Sequence, residues 1–312
     1  MVNSAFYEQQ VKLLLESLSY VADEEVFALK GGTAINLFVR DMPRLSVDID
    51  LTYLPVHDRK ESLETIGTAM NRIAEQIERG LKGARVVKLQ QRGDKVTTKL
   101  QVIRGGVKIK IETSPVLRGC VREPSVCRVK PSVEDTFGFA ECRVVHLDDL
   151  YAGKICAALD RQHPRDFFDV KCLMEAEGIS DELMDVLMVY LISSGQPIAK
   201  LLAPNLIDLT GTYQKQFVGM TKDDVSLQVL EESRIALIKE IHQKLTDDQR
   251  RFLIGFKKGS PDWSLLKVKD VETLPSVRWK MLNLDKMTSS ARCEAVDKLS
   301  NVLFNQPLGE EG

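Results

Sequence analysis

Residues 44–53 read RLSVDIDLTY, and their alternation decides how the first half of the chain is built. A strand has a side-chain period of two, so Leu45, Val47, Ile49 and Leu51 fall on one face and Ser46, Asp48, Asp50 and Thr52 on the other. If the apolar face is buried, the polar face lines a cleft. Asp48 and Asp50 then project the same way, about 6.5–7 Å apart along the strand. That separation suits bridging and flanking two divalent ions about 3.5–4 Å apart. The plain alternative is an amphipathic edge strand. Against it, Asp is depleted in strands, and two like charges on one face repel.

Upstream, EVFALK at 25–30 reads as a short buried strand ending in Gly31-Gly32, and TAINLFVR at 33–40 is helix-like. Backbone N–H groups at such a strand-to-helix turn, with the positive end of the helix, suit a triphosphate. Glycine lets a phosphate approach the backbone closely. A simple tight turn would use the same residues without a ligand. Neither the Gly-x4-Gly-Lys-Ser/Thr loop nor GxGxxG occurs anywhere in the chain.

Downstream, a long helix is expected over 58–79, stopped by Gly80 and Gly83, and an earlier one over 4–18. Strands at 95–103 and 107–113 are joined by Gly105-Gly106, the chemistry of a tight hairpin. In VKIKIETS, Val107, Ile109 and Ile111 form the apolar set and Lys108, Lys110, Glu112 and Ser114 the polar one. Glu112 can complete an acidic triad with Asp48 and Asp50, while Lys108 and Lys110 can meet phosphate or RNA. Cross-strand Lys–Glu pairing on a solvated face is the competing account. The segment 116–146 reads as irregular.

Charge is spread unevenly. The chain has a net charge of −2, yet residues 82–130 hold 13 Lys/Arg against 3 Asp/Glu. A local anionic partner, polyphosphate or nucleic acid, fits this better than a uniformly basic binder does. Six cysteines show no CxxC pair or zinc-like spacing, so reduced and mostly buried thiols are expected. The four histidines are scattered, which gives a Ser/His/Asp or Cys/His centre little support. No apolar run approaches the roughly 18 residues of a membrane helix, and the first residues lack a signal-peptide core. A cytoplasmic protein without a membrane partner is expected.

From about Asp148 helical patterns take over, at 148–160, 165–177, 181–194, 223–244, 247–257 and 286–304. The boundary is placed near 146, between a catalytic domain (1–146) and a helical domain (147–312) that completes the cleft. Lys154 and Arg161 lie seven residues apart and so share a helical face. Pro164 opens a second helix, with Arg165 and Asp166 in its first turn and Asp169 one turn on. Two cations on one face can clamp a triphosphate or neutralise the departing pyrophosphate. Equally, they can pair with Asp166 and Asp169 and lock the helical hairpin.

A glycine turn, an Asp-x-Asp strand and a later-strand carboxylate, in this order, resemble the nucleotidyltransferase fold of polymerase-beta-like enzymes. More specifically, KGGTAINLFVRDMPRLSVDIDL at 30–51, IKIE at 109–112, LDDLYAGKICAALDRQHPRDFFDV at 147–170 and LPSVRWKMLNL at 274–284 resemble the AbiEii/AbiGii toxin family. The resemblance covers most of the chain. It implies an α+β fold, with a mixed sheet flanked by helices and followed by a C-terminal helical domain. It also implies an enzyme that moves NMP from an NTP to an acceptor hydroxyl, with RNA (a tRNA 3′ end) the expected acceptor and pyrophosphate released.

Catalysis is then expected from Asp48, Asp50, Glu112, Lys154 and Asp166, and two Mg²⁺ on Asp48, Asp50 and Glu112. Nucleotide contacts are expected from Gly31, Gly32, Thr33, Ser46, Lys154, Arg161 and Arg165. A separately encoded antitoxin is implied, as in type IV-like toxin–antitoxin or phage-defence pairs. A small-molecule nucleotidyltransferase is the nearest rival. A metal-dependent nuclease would usually show Asp/Glu-x-Lys, whereas the order here is Lys110-x-Glu112. A non-catalytic binder gains nothing from repelling carboxylates.

Overall fold

A computed structural model of the chain describes residues 4–90 and 96–304. The chain opens with helix α1 (Ser4–Ala22), whose Val11, Leu14, Leu15 and Leu18 are buried while Phe6, on the same expected apolar stripe, is exposed. Strand β1 (Phe27–Lys30) runs into the short helix α2 (Gly31–Thr33), which continues as a wider π-helical turn, Ala34–Val39. Strand β2 (Asp48–Tyr53) starts four residues later than its alternation suggests. The reason lies outside the sheet: Leu45 N–H donates to the Met220 carbonyl, and Arg44 forms an isolated bridge with Thr221.

Helix α3 (Arg59–Gly80) is capped by Asp58, whose carboxylate accepts from Glu61 N–H, and buries Leu63, Ile66, Met70, Ile73 and Ile77. Strand β3 (Arg85–Gln90), absent from the sequence reading, precedes β4 (Thr97–Arg104) and β5 (Val107–Arg118). Lys95, the expected first residue of β4, lies outside the described residues. Gly105 and Gly106 both adopt positive φ (58° and 82°), which a two-residue hairpin turn requires. Strand β5 runs past Pro115 because its register against β2 shifts between Leu51 and Tyr53, where a missing N–H is tolerated. The segment read as irregular holds β6 (Ser125–Arg128), helix α4 (Pro131–Phe137) and β7 (Glu141–Val144).

The seven strands form one sheet in the order β3-β4-β5-β2-β1-β7-β6. It is mixed: β2/β5 and β1/β7 are parallel, and the other pairs antiparallel. Ile49, Leu51, Leu100, Val102, Ile109 and Ile111 are all buried on one face, where α1 and α3 pack. The opposite face carries the polar set.

The chain divides into two compact units. One takes the residues up to Leu150 together with Gly219–Asp224; the other takes Tyr151–Val218 and the remainder. The division falls inside α5 (Leu147–Arg161), four residues beyond the expected boundary at 146. The second unit is helical: α6 (Pro164–Ala176), α7 (Asp181–Ser193), α8 (Ile198–Leu202), α9 (Thr210–Gln216), α10 (Leu227–Lys244), α11 (Asp247–Lys258), α12 (Pro275–Asp285) and α13 (Ser289–Phe304). Three of these, α8, α9 and α12, lie outside the expected helical segments. All six cysteines are free thiols, but only Cys142 is fully buried and Cys293 is exposed. Burial pushes the Cys120 and Cys142 thiols up to about 12, so neither is a ready nucleophile. Among the described residues, no helix is long and apolar enough to cross a membrane.

Candidate active site

Sheet register sets the site. Lys30 of β1 pairs with Asp50 of β2, Asp50 with Glu112 of β5, and Glu112 with Lys99 of β4. One row across four strands thus alternates Lys30, Asp50, Glu112, Lys99. Neighbouring strands lie about 4.8 Å apart, so the two carboxylates stand side by side with an ammonium on each flank. Asp48, one step along β2, pairs with Lys110 in the adjacent row. Asp48, Asp50 and Glu112 therefore share one face of one sheet.

The glycine turn closes over this row. Gly31 has φ +75°, and a Cβ there would stand 2.4 Å from Oδ2 of Asp50. A Cβ on Gly32 would meet an Arg44 guanidinium nitrogen at 2.7 Å and Ser46 Oγ at 2.9 Å. Both glycines are dictated by close approach, and the closeness is to the protein's own site residues. Thr33 is fully buried; its hydroxyl donates to the Asp48 carbonyl (2.6 Å) and shares a hydrogen bond with Ser46 Oγ (3.1 Å). Asn36 fastens the turn from below, donating to the Gly32 carbonyl at 2.8 Å and accepting from Arg44 N–H at 3.3 Å. Thr33 and Ser46 thus tie the turn to β2, and their hydroxyls are spent on that join.

Lys30 and Lys99 were not singled out from the sequence. Lys99 Nζ lies 2.8 Å from Oε2 of Glu112. Burial lowers the Lys30 ammonium below the ordinary lysine value, while Asp50 and Glu112 pull it the other way. Both lysines, with Asp50, Glu112, Thr98 and Ser114, line a cavity of about 410 Å³. The only sequence cue was the position of Lys30 beside the glycines. Lys99 becomes visible only once the register is known.

Among the described residues, no three acidic, histidine or cysteine side chains converge closely enough to form a ready metal cage. The donor set still fits a hard divalent cation. Mg²⁺ is usually held by one or two carboxylates plus substrate phosphates and water, and Asp48 with Asp50 offer that pair. Glu112, paired with Lys99, stands beside them without converging on a common point.

The second group of expected residues lies in the helical unit. Lys154 of α5 is buried, its Nζ 2.9 Å from Asp166 Oδ1 and 2.9 Å from Asp169 Oδ2. Arg161 grips Asp166 with Nε at 2.5 Å from Oδ2 and a second guanidinium nitrogen at 2.9 Å from Oδ1. Burial alone would raise the Asp166 carboxyl, but Lys154 and Arg161 outweigh it and hold that carboxyl far below the usual range. Both aspartates thus face Lys154, which fastens α5 to α6. Arg161 is 62% exposed, whereas Asp166 is 1% exposed, so the network ends in a cation turned to water. Arg165 sits half-buried in the first turn of α6 beside the capping His163.

The chain is similar in fold to a solved protein, MenT4, a nucleotidyltransferase toxin from Mycobacterium tuberculosis H37Rv. The two share a TM-score of 0.58 and 14% identity, over 96% of this chain and 92% of that one. The fold is that of a nucleotidyltransferase toxin. No curated protein sequence matches the chain. The family described as nucleotidyl transferase AbiEii toxin, type IV TA system, matches residues 12–281, and the chain belongs to it. It is accordingly a nucleotidyltransferase.

Proposed function

We propose that this enzyme, acting in the cytoplasm, transfers a nucleoside monophosphate from an NTP to the 3′ hydroxyl of an RNA, of which tRNA is the first choice. The acceptor oxygen bonds to the alpha phosphorus, the bond from that phosphorus to the beta-bridging oxygen breaks, and pyrophosphate leaves. The observation that carries this reading is the register placing Glu112 beside Asp50, with Asp48 one step along, under the Gly31–Gly32 turn. Two Mg²⁺ held by Asp48 and Asp50 would lower the acceptor hydroxyl's pKa and spread charge on the transferring phosphoryl group.

The chain's own residues do the rest. The Gly31 and Gly32 amides and Lys30 bind the beta and gamma phosphates. Thr33 and Ser46 hold that turn against β2. Glu112 accepts the proton of the acceptor hydroxyl. Within the helical unit, Arg161 and Arg165 are the cations assigned to anion binding, with Lys154 and Asp166 positioning Arg161. Family membership supports a separately encoded antitoxin that opposes the activity.

The test is incubation of the purified protein with total tRNA, Mg²⁺ and each alpha-³²P NTP in turn, beside Asp48→Ala. Label on tRNA with one NTP, lost in the variant, is expected. Absence of label on any RNA with all four NTPs would sink the RNA acceptor.

A further inference from the structure

The polar face of the sheet does not end at the acidic row. On the same side, β5 presents Lys108 and Lys110, β4 presents Lys99, Gln101 and Ile103, and the edge strand β3 presents Arg85, Val87 and Leu89. The register sets them in rows: Lys110 stands beside Gln101 and then Val87, and Lys108 beside Ile103 and then Arg85. Lys108, Lys110 and Arg85 are exposed, Lys99 is 54% exposed and Leu89 47%. The opposite face of the same strands is covered by α1 and α3, so this face alone is open. Glu112 is its only carboxylate on β3, β4 and β5, and it lies at the end next to Asp50. Among the described residues neither Lys108 nor Lys110 forms a salt bridge, and Lys110 stands in register beside Asp48.

We infer that this face is the track on which the acceptor RNA lies as a single strand, its 3′ end at Asp48 and Asp50 and its upstream phosphates on Lys110 and Lys108. The inference rests on RNA being the acceptor. Charge complementarity selects the occupant. Cations two residues apart on β5 repeat about every 7 Å along the strand: Lys110 stands beside Asp48 at the reacting end, and Lys108 lies one step beyond it. Val87, Ile103 and Leu89 offer bases and riboses an apolar floor with no hydrogen-bonding code, so contact is to phosphate and independent of sequence. The cavity lined by Lys99, Thr98 and Ser114 joins the track to the acidic row.

The test is binding of a fluorescent single-stranded RNA oligonucleotide, without NTP, to the full-length chain over a range of salt concentrations. K108A/K110A is compared with K12A/K82A, which removes the same charge at exposed positions outside this face. Each phosphate contact on a single strand contributes about 0.7 to the slope of log affinity against log salt. The K108A/K110A slope should therefore be shallower by about 1.4. The loss should be alike for oligonucleotides of unrelated sequence, and K108R/K110R should restore the slope. NTP affinity by equilibrium dialysis should be unchanged. RNA bound with equal slopes in both double variants overturns the track and leaves the RNA acceptor standing. RNA unbound by the unsubstituted protein at any salt overturns both.

Discussion

Gly31 shows how tightly single positions are specified here. Its positive φ alone costs an L-residue about 1–3 kcal/mol, and a methyl group would also collide with Oδ2 of Asp50. Gly31→Ala should therefore push the Asp50 carboxylate aside, with roughly a 100-fold fall in transfer of labelled NMP. Gly211→Ala serves as the control, since nothing lies within 4 Å of its added methyl and its φ is not positive. Full activity in Gly31→Ala would mean that Asp50 has room to move and the turn is not a site element. The glycines and the two aspartates were legible because their chemistry is local: a turn, then a period of two. The work of Thr33 and Ser46 was not, since hydroxyls that suit a phosphate suit a neighbouring carbonyl equally well. Only the fold shows that Thr33 Oγ1 donates to Asp48.

Among the elements, the α5–α6 pair carries the clearest energetic statement. Lys154, Asp166 and Asp169 are buried together, and removing one partner from such a network typically costs about 3–5 kcal/mol. Asp166→Asn keeps the shape and deletes the charge. A loss near 3 kcal/mol corresponds to a melting point lower by roughly 6–12 °C in a unit of about 150 residues. The folded Asp166 carboxyl lies below its unfolded value of about 3.9, so this stabilisation is present at neutral pH and drains away below about pH 4. The gap in Tm between the parent and Asp166→Asn should be wide at pH 7 and narrow progressively as pH falls below about 4, with part of it still present at pH 3. A gap that does not change with pH would show that the network holds by packing rather than charge. The helices themselves were read correctly from periodicity over 148–194. Strands β3, β6 and β7 were not, because runs of four to six residues are too short to establish a period; Arg85–Gln90 buries only Val86. Their existence depends on neighbours supplied by distant sequence.

At the scale of the whole molecule, stability should report how metal and nucleotide are bound. Asp48 and Asp50 supply two carboxylates, Glu112 is occupied by Lys99 at 2.8 Å, and no third acidic group among the described residues converges on them. Mg²⁺ in such a setting relies on substrate phosphates for much of its coordination. Metal alone should then leave the melting point of the protein almost unchanged, and EDTA should do the same. Mg²⁺ with the preferred NTP at about 100 times its Kd should add roughly 2.7 kcal/mol, a rise of about 5–10 °C for a unit of this size. Asp48→Ala should abolish most of that rise while melting near the parent temperature without ligand, because Asp48 is half-buried and its loss opens no core cavity. A rise with Mg²⁺ alone as large as that with Mg²⁺ and NTP would mean that the protein builds its own metal cage. Glu112 would then have to leave Lys99 and join the aspartates as a ligand rather than serve the acceptor hydroxyl.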